Sequence, residues 1–409
     1  MNAANLNKTV RYMKKHKTIL PAYHNLWKLL CLSAYLLATM YLQSCINRPS
    51  SYTCDLDALE TTPIAYKSSI YKNVKLVFLD SYPPISSIKK MLENEGNLYI
   101  LDTDNHLHAF TNTGKYLHTI GATDTDFEKY KKISDFTIAS EDNCIYAIDT
   151  GAQAIHTYDL LTGHFIESKK LDDTHYRSQY IAYAEGFLYT DLLPLHGGKH
   201  LLRRLGRTAK EADTYLLQQE TNNLTSKYQQ TSSPFFHASH GGFYFIPPLC
   251  NIIFELKKEK INPFLTVNSK NFSDKTSLPQ SAGKDEEQSN LSNRIHYIYN
   301  CIVNSHLVSF SYLQENTPAT VVKMKDSPNI LKTDMLTDDL LFKKENVVYL
   351  PLHYATTNFN GDYYYLNPPG VSMLKEYADA GYLLSDSKTD SNNNLAEELR
   401  PIILYYTYK

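Results

Sequence analysis

The sequence predicts an all-β fold, a six-bladed β-propeller of four-stranded antiparallel blades, with seven blades as the alternative. Three observations carry this. Short alternating segments rich in β-branched and aromatic residues follow one another between turn signals, the first eight of them fall into two groups of four, and the two groups repeat at an offset of 47 residues. An isolated four-stranded sheet leaves a face exposed, whereas blades stacked radially bury both faces.

The first group is ISSIKKML (85–92), NLYILD (97–102), HLHAFT (106–111) and YLHTIG (116–121), parted by Glu-Gly, Thr-Asp-Asn and Asn-Thr-Gly. The second is ISDFTIA (133–139), CIYAID (144–149), AIHTYD (154–159) and FIESKKL (165–171). Tyr99 and Asp102 recur as Tyr146 and Asp149, and Gly114 recurs as Gly163. Later blades are read from their second strands: GFLYTDLLP (186–194), GFYFIPP (242–248), HLVSFSYL (306–313) and NVVYLPLH (346–353). Two stretches read as insertions, a helix-like one from Thr208 to about Lys227 and a polar loop over 268–294. A ring leaves no open edge, so PIILYYTYK (401–409) is expected to pair with VKLVFLD (74–80) in the last blade, the N-terminal segment giving the outer strand.

The N-terminus reads as an address. Residues 29–42, LLCLSAYLLATMYL, form an apolar run after a basic stretch and are shorter than the roughly 20 residues a bilayer span needs. Leu42-Gln43-Ser44-Cys45 then has the spacing of a lipobox, which makes Cys45 the lipidation site; an ordinary signal-peptidase site and an uncleaved anchor are the alternatives. Met13 offers a second possible start. The expected organisation is a lipoprotein-type signal peptide over 1–44, a Ser/Thr-rich tether over 45–69 and the propeller over 70–409. The location implied is the cell envelope, lipid-anchored at the outer membrane or facing the periplasm.

Composition narrows the partners. The chain of 409 residues has a formal charge of -2, but residues 1–44 hold six of its 41 basic residues and no acid, so the remainder is net acidic. Without a Lys/Arg cluster it is not built to neutralise phosphates, and nucleic acid is excluded as a partner. Cys54, Cys144, Cys250 and Cys301 are too widely spaced for a disulfide framework or a zinc pair, and the last three read as buried small hydrophobes.

LYILDTDNHLHAFTNTGKYLHTIG (98–121), IYAIDTGAQAIHTYDLLTGHF (145–165), the entry strand VKLVFLD, Cys45 in its lipobox and the closing Arg400-Pro401-Ile402-Ile403-Leu404 together resemble the NHL-like six-bladed β-propeller lipoproteins of Gram-negative gut bacteria. Arg400 stands where that family usually has Asn. The resemblance implies the fold and an envelope location, and no particular activity.

No nucleophile-elbow, zincin, dinucleotide or phosphate-loop motif occurs. Ser69-Ile-Tyr-Lys72 and Ser86-Ser-Ile-Lys89 match S-x-x-K, but in strand-like sequence where the two side chains share no helical face. His196-Gly-Gly-Lys-His200 and His237-Ala-Ser-His240 lack an adjacent acid, so no metal and no cofactor is assigned to them. Asp102 and Asp149 read as caps whose carboxylates accept turn amides. Arg203 and Arg204 offer forked donors to an anion, and Tyr363-Tyr364-Tyr365 offers rings for stacking or packing. The candidate ligand-binding residues are therefore His196, His200, Arg203, Arg204, His237 and His240, with no catalytic residue assigned. The expected function is an envelope-anchored propeller that binds a protein, peptide or glycan. The alternative is a propeller enzyme, a lyase or hydrolase, with a channel-face site, with or without a metal.

Overall fold

On β5 (Asn97–Asp102), alternate residues belong to different interfaces. Leu98 and Ile100 pack with Phe110, Tyr363 and Ile403 of the first and last blades, while Tyr99 and Leu101 pack with Phe136, Ile145 and Tyr158 of the second. Successive side chains point to opposite faces, so a strand sandwiched between blades is apolar at nearly every position. The computed structural model describes residues 52–121, 132–171, 173, 175–194, 200–206, 211–218, 233–239, 242–247, 250–257, 260–272, 295, 298–314, 317–384 and 400–409. Cys45, His196, His240, the signal segment and residues 273–294 of the polar loop lie outside them.

The folded unit Thr53–Lys409 is a six-bladed β-propeller. Ahead of the first blade the chain forms β1 (Tyr52–Asp55), β2 (Thr61–Tyr66) and β3 (Tyr71–Phe78). Blade one is β4 (Ile88–Asn94), β5, β6 (Leu107–Thr111) and β7 (Tyr116–Ile120); blade two is β8 (Ile133–Ala139), β9 (Cys144–Asp149), β10 (Ala154–Asp159) and β11 (Phe165–Lys170). A ribbon of β12 (Tyr176–Arg177) and β15 (Leu193–Pro194) accompanies blade three, which is β13 (Ile181–Ala184), β14 (Phe187–Asp191), β16 (His200–Arg204) and β17 (Thr214–Gln218). Blade four is β18 (Phe235–His237), β19 (Phe243–Phe245), β20 (Ile252–Leu256) and β21 (Ile261–Asn268), with β1 added at its outer edge. Blade five is β22 (Ile298–Val303), β23 (Leu307–Gln314), β24 (Thr317–Met324) and β25 (Ile330–Thr337), with β2 added in parallel. Blade six is β26 (His353–Thr357), β27 (Gly361–Leu366) and β28 (Ile402–Tyr408), completed by β3 on the outside.

The expected closure is present: β28 and β3 pair antiparallel from Ile402 opposite Phe78 to Tyr408 opposite Tyr71. Asn367 adds a clamp, its amide accepting from Ile88 N at 2.8 Å and donating to Ile88 O at 3.1 Å, which ties blade six to the inner strand of blade one. The recurring glycines lock neighbouring blades. Asp80 N, just past β3, donates to Gly114 O (2.9 Å), and Gly121 N, just past β7, donates to Gly163 O (2.8 Å). Both glycines have positive φ, +88° and +71°, and neither leaves room for a Cβ.

Four expectations are corrected. From Tyr52 the segment read as a tether carries β1 and β2, because edge strands of blades four and five offer unpaired backbone groups that Ser/Thr-rich sequence can satisfy. The helix-like stretch after Thr208 supplies β17, where pairing with β16 overrides helix propensity. NVVYLPLH is not a second strand. It is extended loop up to His353, its Val348 and Leu350 are buried against helix α1 (Pro368–Asp379), and GDYYYL in β27 takes the second-strand place. That helix, inserted between β27 and β28, has no counterpart in the expectation. Finally, Cys301 is buried as expected, but Cys144 and Cys250 are only half-buried.

β2 leads into Lys67, whose ammonium is buried between blades five and six. It lies 3.8 Å from the centre of the Tyr406 ring and 3.6 Å from Asp338 Oδ2, and burial holds its pKa below the ordinary lysine value. The N-terminal segment thus joins three blades, with β1 on the fourth, β2 on the fifth and β3 in the sixth.

Candidate functional site

The inner strands converge on a central channel that is plugged by polar side chains. Lys90 on β4 and Asp135 on β8 occupy matching positions, opposite Leu101 and Ile148 respectively, and carry opposite charges. They pair at 2.6 Å; Lys90 Nζ also donates to Phe136 O (2.8 Å), and the second Asp135 oxygen accepts from Ile181 N (2.9 Å). Across the channel, His237 Nδ1 of β18 lies 3.4 Å from Thr356 Oγ1 of β26. Desolvation, and to a lesser degree the Lys90 charge, pushes the His237 pKa down to about 4, so the ring is neutral at physiological pH.

Above this plug, at the end bearing the first-to-second strand turns, is a cavity of about 280 Å³. Its wall draws on five blades: Glu93, Asn94 and Glu95 from blade one, Glu141 from blade two, Tyr183 from blade three, His237 and Ser239 from blade four, and Asn358 from blade six. Two-residue turns shape the rim, with Glu95-Gly96 at φ of 50° and 81° and Glu185-Gly186 at 49° and 84°, the left-handed pairs that tight hairpins need. Glu93 Oε1 accepts from Gly96 N (2.8 Å), and burial raises its pKa above the ordinary glutamate value. Ser140 Oγ donates to Asn94 (2.5 Å), and Tyr183 hydroxyl to Asp142 (2.9 Å), fixing the rim. Ser239 Oγ, facing the cavity, is buried without a hydrogen-bond partner. Three glutamates and no Lys or Arg line this mouth among the described residues.

Of the candidate residues read from sequence that the structure describes, only His237 stands here. His200, Arg203 and Arg204 lie on β16, the third strand of blade three. Arg203 is buried and internally satisfied: it donates to Ser178 Oγ (3.1 Å) and Thr190 Oγ1 (3.3 Å) and lies 3.6 Å from Asp173. His200 sits between Tyr176 and Tyr215, its Nδ1 3.1 Å from the Tyr176 hydroxyl. Arg204 stacks its guanidinium 4.8 Å from the Phe187 ring centre. His200 and Arg203 thus share one cluster through Tyr215, which donates to Asp173 (2.7 Å), while His237 belongs to the channel. Tyr363 and Tyr365 pack between blades six and one, and Tyr364 packs beneath Lys67, so the tyrosine run is core.

The caps are as expected: Asp102 Oδ1 accepts from His106 N (2.7 Å), and Asp149 Oδ1 from Gly151 N (2.7 Å) and Ala152 N (2.9 Å). The sequence reading missed Lys90, Asp135 and Glu93. Their signal was available: a charged residue inside an otherwise apolar inner strand faces a channel, because the interfaces between blades leave no water for it.

Six four- to five-stranded blades in a ring, with an acidic cavity at one end, define the class, a six-bladed β-propeller. The chain belongs to the family "Domain of unknown function (DUF4934)", whose model matches residues 52–407. Among solved structures it is similar to a protein of Bacteroides fragilis provisionally designated as exported, with 15% identity, covering 87% of this chain and 99% of that one at a TM-score of 0.68. A member of the DUF4221 family from Bacteroides vulgatus matches with 8% identity over 82% of this chain and 96% of that one, at a TM-score of 0.48. No curated protein matches the chain.

Proposed function

We propose that the protein is an envelope binding module, lipid-anchored at Cys45, whose channel mouth takes a cationic side chain of a protein or peptide partner. The observation that carries this reading is the set Glu93, Glu95 and Glu141 around a cavity of about 280 Å³ with no Lys or Arg among the described residues of its wall. Glu93 is partly desolvated already, so a Lys or Arg entering the cavity returns to it the counter-charge that burial removed. The His237 and Lys90–Asp135 plug closes the floor, so the mouth admits a side-chain tip and not a threaded chain. The volume sits at the low end of small-ligand pockets, about 300 Å³. Export and anchoring are supported by the signal-like N-terminus.

The propeller-enzyme alternative has less support within the channel. There Asp135 is held by Lys90 and Ile181, and among the described residues no three His, Cys, Asp or Glu side chains gather around it within metal-ligand reach of one another.

The test is a fluorescence-anisotropy titration with an arginine-rich peptide and a serine-substituted control. Saturable binding of the arginine peptide alone is expected, at least 10-fold weaker for Glu93→Gln/Glu141→Gln and weakened by salt. Equal binding of both peptides, no binding, or an unchanged affinity in the double variant overturns the reading.

A further inference from the structure

At the opposite end of β5 from the mouth, three side chains of blade one gather around one carboxylate oxygen. Asp102 Oδ2 lies 3.3 Å from His106 Nδ1 and 3.7 Å from His108 Nε2, and one ligand atom from each of the three residues falls within 4.8 Å of the other two. Asp102 and His108 are buried, whereas the His106 side chain is 56% exposed. The other Asp102 oxygen accepts from the His106 amide, so Oδ2 is the one turned to both imidazoles.

The environment of His108 points to a ligand. Its Nδ1 lies 2.8 Å from Thr119 Oγ1, and its Nε2 is buried without a hydrogen-bond partner, aimed at Asp102. In the tautomer whose Nδ1–H donates to the threonine, Nε2 offers its lone pair as a ligand beside the carboxylate oxygen. Metal binding selects that tautomer, and a cation between the two groups then accepts both lone pairs. An imidazole oriented through its other nitrogen is the usual support for a metal ligand.

Blade two provides the comparison. Asp149 and His156 repeat the pair, with Oδ2 and Nε2 3.6 Å apart. The register of β6 and β10 places Ala154 where blade one has His106. The Asp–His pair by itself is therefore architecture, and His106 is the addition that turns it into three donors with one side open to solvent.

We infer that Asp102, His106 and His108 form a binding site for one divalent transition metal ion of the zinc class, with solvent completing the coordination. Tetrahedral bonds of about 2.0–2.1 Å set donor atoms about 3.3 Å apart, so the site closes on an ion by a small inward movement of the exposed His106 ring. Two imidazoles and a carboxylate favour zinc, cobalt or nickel over calcium and magnesium, which prefer all-oxygen sites.

The tag-free chain, stripped with a chelator, is titrated with Zn²⁺ against a chromophoric competitor and, separately, with Co²⁺ followed by visible absorption. One Zn²⁺ per chain and a cobalt d–d band are expected. His106→Ala, an exposed change that leaves the fold intact by circular dichroism, weakens Zn²⁺ binding 10- to 100-fold and abolishes the band, and His156→Ala changes neither. The inference is overturned by substoichiometric uptake in the unaltered chain, or by uptake that survives His106→Ala, since the latter places the metal elsewhere.

Discussion

Replacing Gly114 by alanine tests the lock between neighbouring blades. Gly114 has φ +88°, and a Cβ there would lie 2.8 Å from Phe78 C and closer still to Phe78 O, both backbone atoms of the strand that closes the ring. Left-handed backbone costs an alanine about 1–2 kcal/mol. Relief of the clash requires β3 and the turn to part, which loses the Asp80 N to Gly114 O bond (2.9 Å), worth about 1 kcal/mol, and loosens the packing around Val77 and Leu79. The total is about 3–4 kcal/mol. With a melting entropy of about 2.1 cal/mol/K per residue over Thr53–Lys409, that lowers Tm by about 5 °C. Gly381 is the control, with φ +77° and nothing within 4 Å of its would-be Cβ, so Gly381→Ala carries the backbone cost alone, about 1–2 kcal/mol. Both variants are followed by urea and thermal unfolding with circular dichroism. Equal losses in the two would refute the claim that close approach at Gly114 holds blades six and one together.

Three further outcomes are expected. Cys45→Ala moves the protein from the membrane to the soluble fraction, and unchanged fractionation removes the lipid anchor from the proposal. His237 has a folded pKa of about 4, below its ordinary value near 6.5, so the neutral ring contributes stability that is complete above about pH 6.5 and is lost as pH falls toward 4; His237→Gln flattens that part of the stability–pH curve, as denaturant midpoints across pH 4–7 would show. Asp338→Asn leaves the buried Lys67 without its carboxylate and costs about 3–5 kcal/mol, more than Lys67→Met, which removes the charge and keeps the stem; the reverse order in urea midpoints would show that no buried ion pair is at work.

The blades were legible where sequence and geometry share a period. NLYILD and CIYAID are apolar throughout because each strand lies between two blades, and their repeated Tyr, Asp and later Gly mark the same positions in the ring. Closure by the two chain ends was legible for a related reason, since a propeller with free edges is a liability and only two unpaired strands remained. Edge additions were not legible. β1 and β2 draw their stability from the unpaired backbone of β21 and β25, which carries no side-chain signature in the segment that binds to it. Nor was NVVYLPLH, where alternation serves the packing of Val348 and Leu350 against α1 and not a ladder. The acidic mouth was missed because Glu93, Glu141 and Asn358 come from three blades and are neighbours only once the ring closes.

The repeat itself separates architecture from chemistry. Features present in both of the first two blades, the Asp caps, the buried Asp–His pairs and the positive-φ glycines, are accounted for by turns and packing that every blade must solve. Function lies where matched positions diverge. By strand register Glu93 stands where blade two has Ile138, and His106 where it has Ala154. A charge or imidazole at a position that an aliphatic residue fills equally well in the neighbouring blade is not required by the fold, and a buried or half-buried charge carries a desolvation cost that an aliphatic one avoids. Such residues persist at that cost only when something else depends on them. Glu93 sits at the mouth, and His106 completes the three-donor cluster. If the principle is right, Glu93→Ile and His106→Ala, which copy blade two into blade one, leave stability unchanged or raised while removing peptide and metal binding respectively. Destabilisation by either copy beyond about 1 kcal/mol would show instead that blade one needs these side chains for folding.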